Sequence, residues 1–279
     1  MRITIRHQTD YDYEEEAAGV VMRLRLKPLT SNAQTVVDWK VTVNDAPVER
    51  WISNGYGDEE ALWSAAGRVG SVSIVAQGEV STIDCAGVLR PEGGAVRPQL
   101  FLRATPLTAA DEAIAAFAKQ AQSGGGVLAS LHALCILVHE EIEWRAGSTT
   151  VETTAMQALA QKAGVCQDQA HVFIAAARSL GVPARYVVGY LRDDERPDSE
   201  HDPHAWAEAW VDGLGWIGFD SALGYCPTEG HVRLCCGLDA ADAAPIRGVM
   251  TTGGETTLSH DVQIVSLPPD GATQAQTQQ

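Results

Sequence analysis

The chain has 279 residues, 45% hydrophobic and 20% charged, with a formal net charge of -16. That length accommodates one large domain or two ordinary ones with real cores. So acidic a surface repels phosphate backbones and anionic lipid, which argues against nucleic acid and membrane as partners. MRITIRHQTDYDYEEE lacks the apolar centre of a signal peptide, and no apolar run approaches the ~20 residues that span a bilayer, so a cytoplasmic location is expected.

The first hundred residues read as strands. Val20, Met22, Leu24 and Leu26 alternate with Val21, Arg23, Arg25 and Lys27; Val37, Trp39, Val41 and Val43 alternate with Asp38, Lys40 and Thr42; and Asn44-Asp45-Ala46-Pro47 is a turn signal. Further β-like runs at Arg50–Ser53, Ala61–Ser64 and Ser71–Val80 complete an antiparallel module over residues 1–100. Its end, near 86–100, is rich in Gly and Pro and reads as a linker. Helical spacing then takes over. Thr108–Gln122 is Ala-rich and stops at Ser123-Gly124-Gly125-Gly126, which has no Gly-Lys-Ser/Thr after it and is therefore not a phosphate loop. Val127, Leu128, Leu131, Leu134, Cys135, Val138 and Ile142 mark a second helix, Thr154–Gln161 a third, and a fourth runs from Cys166 to about Leu180, where Gly181 and Pro183 end it. Strands return at Ala184–Leu191, Ala205–Trp210 and Leu214–Asp220, with a last one at Val262–Leu267. The polar tail 268–279 is expected to be disordered. Helices followed by strands predict an α+β fold, with a second domain over 101–267.

The chemistry gathers in two segments. In GVCQDQAH, Cys166 falls at the start of the fourth helix, where free N–H groups and the helix dipole favour a thiolate and can hold an oxyanion. In HAWAEAWVDGLGWIGFD, Val211-Asp212-Gly213 suits a three-residue hairpin loop with Gly213 at positive φ. That register pairs Trp210 with Leu214, Trp206 with Gly218 and His204 with Asp220, which brings facing Cβ atoms to ~4.5–5.5 Å. A carboxylate there can take the imidazole Nδ1 proton and orient the ring. Nucleophile, base and orienter are thus Cys166, His204 and Asp220.

At GVCQDQAH, RSLGVPARYVVGYL, HAWAEAWVDGLGWIGFD and, less strongly, GLDAADAAPIRGVM, the sequence resembles the transglutaminase-like superfamily, in particular its bacterial members regarded as cysteine proteases. RITIRHQTDYDYEE resembles the β-rich N-terminal domain that accompanies them. The resemblance implies a papain/transglutaminase-like catalytic domain and the same triad of Cys166, His204 and Asp220. One departure stands out: the family often has Pro-Thr-Asn after the Asp, whereas Ser221-Ala222-Leu223 follows here.

Other groups carry weaker signals. Gln167 and Trp206 are candidate substrate-binding residues, Glu208 a rim residue, and His171 a packed helix residue. Trp144 could reach an oxyanion with its indole N–H. His201-Asp202-Pro203-His204 lacks a second ligand pair, so no metal and no cofactor are expected. Cys85, Cys135, Cys226 and Cys235 have small or apolar neighbours and read as inert. RDDERPDSEHD is expected to form an acidic rim favouring cationic substrates. The expected activity is hydrolysis of a peptide, isopeptide or glutamine amide through a thioester on Cys166. Transfer of the acyl group to an amine is the alternative, with a non-catalytic peptide-binding module or a redox sensor behind it.

Overall fold

A computed structural model describes residues 1–90, 96–192, 203–251 and 253–267. The first unit is built on β1 (Arg2–Lys27), in which Ile3, Ile5, His7 and Thr9 point inward at every second position. Beside it come β2 (Gln34–Val43), the two-residue β3 (Ala46–Pro47) and β4 (Ile52–Ser53), β5 (Glu59–Ser64) and β6 (Val69–Thr82). They order as β3-β2-β6-β1-β5-β4. Asn44 and Asp45 both take positive φ in the turn between β2 and β3, which these residue types tolerate.

The stretch expected as a linker supplies a strand instead. β7 (Val88–Leu89) adds to the edge of a second sheet, with Trp216 paired to Leu89. Four helices follow: α1 (Glu112–Gln120), capped by Asp111; α2 (Val127–Glu141); α3 (Ala155–Gln161), capped by Thr154; and α4 (Cys166–Ser179). Two short strands, β8 (Glu143–Trp144) and β9 (Ala163–Gly164), run parallel to each other between them. The second sheet is β13-β10-β11-β12-β7, where β10 is Ala184–Leu191, β11 His204–Val211, β12 Gly215–Phe219 and β13 His231–Gly237.

Small residues let α4 lie close on this sheet. Ala205, Ala207 and Ala209 of β11 and Ala175, Ala176 and Ala177 of α4 are all buried in one core. Arg178, in the last turn of α4, donates to the carbonyls of Phe101, Ala184 and Leu238 and to Thr108 Oγ1, which fastens the helix to its surroundings.

The chain then returns to where it began. The last strands, β14 (Ile246–Thr251) and β15 (Thr256–Leu267), pair antiparallel with β1, Arg2 lying opposite Leu267. The strand expected at Val262–Leu267 therefore belongs to the first sheet. A local alternation pattern names a strand but not its partner, and this partner lies at the far end of the sequence. The tail 268–279 lies outside the described residues.

A buried ion cluster joins the two sheets. Asp58 Oδ2 accepts from Arg25 Nη2 at 2.5 Å and from the Cys236 amide at 2.9 Å, while its Oδ1 accepts from Arg233 Nη1 at 3.1 Å. Burial pushes the Asp58 carboxyl up, but Arg233 and Arg25 outweigh it and hold it ionised. Asp58→Ala leaves two guanidinium groups short of a counter-charge in the interior. It should cost about 3–5 kcal/mol of stability, read as a fall in the urea midpoint; an unchanged midpoint would mean that the cluster does not hold the sheets together. No helix among the described residues is long and apolar enough to cross a membrane.

Candidate active site

Cys166 is the first residue of α4. The hydrogen-bond ladder of that helix begins when the Asp168 and Gln169 amides donate to Val165 O, so the N–H groups of Cys166 and Gln167 precede it and face outward from the helix end. Asp168 secures this turn. Its Oδ2 accepts from the Val165 amide at 2.8 Å and from Thr149 Oγ1 at 2.7 Å, which is half of a capping box. Gly164 makes room for it, because a Cβ there would lie 2.6 Å from Asp168 Cβ. The neighbouring strand is fastened at the same place: Trp144 pairs with Gly164, and the Arg145 amide donates to Gly164 O at 2.9 Å.

His204 opens β11, and Asp220 directly follows β12. The hairpin loop has three residues, as expected, but they are Asp212-Gly213-Leu214. Val211 pairs with Gly215 and Trp210 with Trp216. The register is thus shifted by two residues from the expected one, and His204 and Asp220 are not direct cross-strand partners. A shift of two preserves the face, however, and a diagonal neighbour is still within reach of long side chains. His204 Nε2 lies 2.5 Å from Asp220 Oδ2. The nitrogen is Nε2, not the expected Nδ1, which leaves Nδ1 for Cys166. The sulfur interacts with His204 through both a hydrogen bond and charge.

Burial lowers the His204 pKa, but Asp220 and then Cys166 outweigh it and raise it well above the ordinary imidazole value. Burial likewise pushes Asp220 up, and His204 and His231 together overcome it and hold the carboxyl far below the usual carboxylate range. His204 is thereby favoured as an imidazolium beside an ionised Asp220. Burial raises the thiols of Cys135 to about 12 and of Cys226 to about 11, in keeping with the expectation that these two are inert.

His231 went unnoticed in the sequence. It is buried at the start of β13, and its Nε2 lies 3.0 Å from Asp220 Oδ2. Asp220 Oδ1 accepts the amides of Ala222 at 3.0 Å and Leu223 at 3.3 Å. Those donors are backbone groups, so the departure from Pro-Thr-Asn at 221–223 leaves this clamp intact. His204, Asp220 and His231 bring potential ligand atoms within 4.8 Å of one another. Those atoms already face each other as N–H···O pairs, and the lone pair on His231 Nδ1 is taken by the Thr228 amide at 3.1 Å, so the cluster reads as a hydrogen-bonded chain. His201 and Asp202 lie outside the described residues, as do Asp193, Asp194 and Glu195 of the expected acidic rim.

Cys166 and His204 open onto a cavity of ≈ 1420 Å³, lined mainly by apolar groups that include Leu107, Trp144, Val151, Val188 and Leu223. Gln167, the other substrate-binding candidate, is among the lining residues. Trp206 does not: it is 3% exposed and packs with Val187, Cys236 and Tyr56 on the side of the sheet toward the first unit. Glu208, expected at the rim, is buried on that same side between Arg185 and Arg233. Alternation places His204, Trp206 and Glu208 on one face but does not say what that face meets. The other face, with three alanines, meets α4. His171 is packed as expected, its Nε2 accepting from the Ala240 amide at 3.0 Å.

Residues 115–221 match the transglutaminase-like superfamily, and residues 3–81 match the bacterial transglutaminase-like N-terminal region. An uncharacterized protein of Mycobacterium tuberculosis is 26% identical, the alignment covering 97% of this chain and 94% of that protein. One of Mycobacterium leprae is 26% identical, with coverage of 95% and 99%. Among solved structures, a Cytophaga hutchinsonii protein provisionally named a cysteine protease is similar with a TM-score of 0.75 and 25% identity. That similarity covers 97% of this chain and 92% of the other.

Proposed function

In a chain that carries the transglutaminase-like core behind the bacterial N-terminal region of that superfamily, we propose that Cys166, His204 and Asp220 catalyse acyl transfer with hydrolysis as the outcome. The observation that carries this reading is the His204 ring, held by Asp220 through Nε2 and interacting with Cys166 as well. His204 takes the Cys166 proton. The thiolate attacks the carbonyl carbon of a peptide, isopeptide or glutamine amide, and the tetrahedral oxyanion is met by the N–H groups of Cys166 and Gln167. The C–N bond breaks, the leaving amine takes the proton from His204, and a thioester remains. Water, giving its proton to His204, then attacks the thioester; the acid leaves and the thiol is restored.

Hydrolysis is favoured for two reasons. Cys166 is only half-buried at the wall of a wide cavity, so water reaches the thioester. A net charge of -16 also attracts amines in their protonated, non-nucleophilic form. A competition tests this. With an acyl donor and excess labelled primary amine at neutral pH, intact-mass analysis should show mainly hydrolysed product. Mainly amine-linked product would make the enzyme a transglutaminase, and failure to trap any acyl group on Cys166 would favour a binding module.

A further inference from the structure

Asp220 is held by more than the triad requires. An ionised carboxylate offers about four acceptor positions, and all four are filled here: Oδ2 by His204 and His231, Oδ1 by the Ala222 and Leu223 amides. The proton on His231 is located by its other nitrogen. Nδ1 lies 3.1 Å from the Thr228 amide, which can only donate, so Nδ1 accepts and Nε2 carries the hydrogen. His231 is then a neutral donor to Asp220 and brings no second positive charge to compete with His204.

The ring itself is fixed on several sides. Trp206 meets it edge to face, with centroids 5.4 Å apart at 88°. Trp206 has that place because residue 189 is Gly, where a Cβ would lie 2.6 Å from the indole. The turn that delivers His231 is closed by the Gly230 amide donating to Thr228 Oγ1 at 3.3 Å and tied to the end of β10 by the Arg192 amide donating to Gly230 O at 2.9 Å. A buried tryptophan, a glycine and a capped turn thus serve to point one N–H at Asp220.

We infer that His231 is a positioning residue: by donating Nε2–H to Asp220 Oδ2 it fixes the carboxylate, and through it the presentation of His204 Nδ1 to Cys166. This role rests on the acyl-transfer reading above. No proton passes from His231; it acts on the nucleophile only through the orientation of two other side chains.

Alkylation of Cys166 by iodoacetamide below neutral pH reports the thiolate–imidazolium pair without a substrate. His231→Leu keeps bulk and removes the N–H, whereas His231→Gln retains a donor. The Leu variant should alkylate about ten- to a hundredfold more slowly, the ratio that a hydrogen bond to a charged acceptor is worth, and the Gln variant should recover most of the loss. On any acyl donor that wild type turns over, the Leu variant should lose kcat with KM unchanged. The 15N spectrum of histidine-labelled wild type should show His231 with a protonated Nε2 and a bare Nδ1.

An alkylation rate for the Leu variant equal to wild type would overturn the proposal. So would equal slowing of the Leu and Gln variants at unchanged melting temperature, which would make the ring's shape the cause, or a His231 protonated on Nδ1. If wild-type Cys166 is itself unreactive, the acyl-transfer reading fails instead, and the 15N tautomer alone decides whether His231 donates to Asp220. Should the Leu variant not fold, the Gln variant and the wild-type spectrum still decide.

Discussion

Cys166→Ala should lower turnover by about 10⁴-fold or more, because Cys166 is the only thiol among the described residues that line the cavity. The remaining rate would come from the amides of Cys166 and Gln167 and from binding alone. Stability should move by no more than about 1 kcal/mol, since a half-buried first residue of a helix contributes little packing and alanine suits the position. The paired measurement is acyl release against a urea midpoint. Wild-type turnover at an unchanged midpoint would remove Cys166 from the mechanism.

Asp220→Asn should cost about as much, near 10⁴-fold in kcat, with little change in KM. The reason lies in the four N–H groups that face the carboxylate. An amide offers one oxygen and one NH₂, so one pair of donors must be met by another donor. The Ala222 and Leu223 amides cannot change, so the Asn oxygen stays with them and its NH₂ turns to the histidines. His204 must then accept on Nε2, which puts its proton on Nδ1, the nitrogen facing Cys166. The base now presents a hydrogen where it needs a lone pair. His231 is forced the same way and would lose its bond from the Thr228 amide, so the melting temperature should fall as well. Kinetics and melting indistinguishable from wild type would mean that another group orients His204.

The sequence-level reading succeeded where the signal was local. Apolar spacing located α2, Thr154 marked the start of α3, and the Gly181–Pro183 pair marked the end of α4. His204 and Asp220 meet although the register differs by two residues from the expected one, because the face of a strand depends only on whether the shift is even. The reading failed where only tertiary structure decides. Nothing in Trp206 or Glu208 says that their side of the sheet meets the first unit rather than the cavity. His231 follows Asp220 across an irregular turn with no periodicity, so its distance in sequence gives no hint that the two side chains meet. The pairing of β15 with β1 joins the two ends of the chain and has no local signature at all.

That last pairing has a consequence for synthesis. β1 leaves the ribosome well before two of its neighbours, β14 and β15, which are made only after the helices and the second sheet. Until then one flank of β1 offers unpaired backbone groups and apolar residues to whatever strand is near. The nascent first unit can only wait, half-built, while the helices and second sheet emerge and fold behind it. Any truncation before Ile246 would make that waiting state permanent, leaving Cys166, His204 and Asp220 encoded on a protein whose β1 has no partner on one flank.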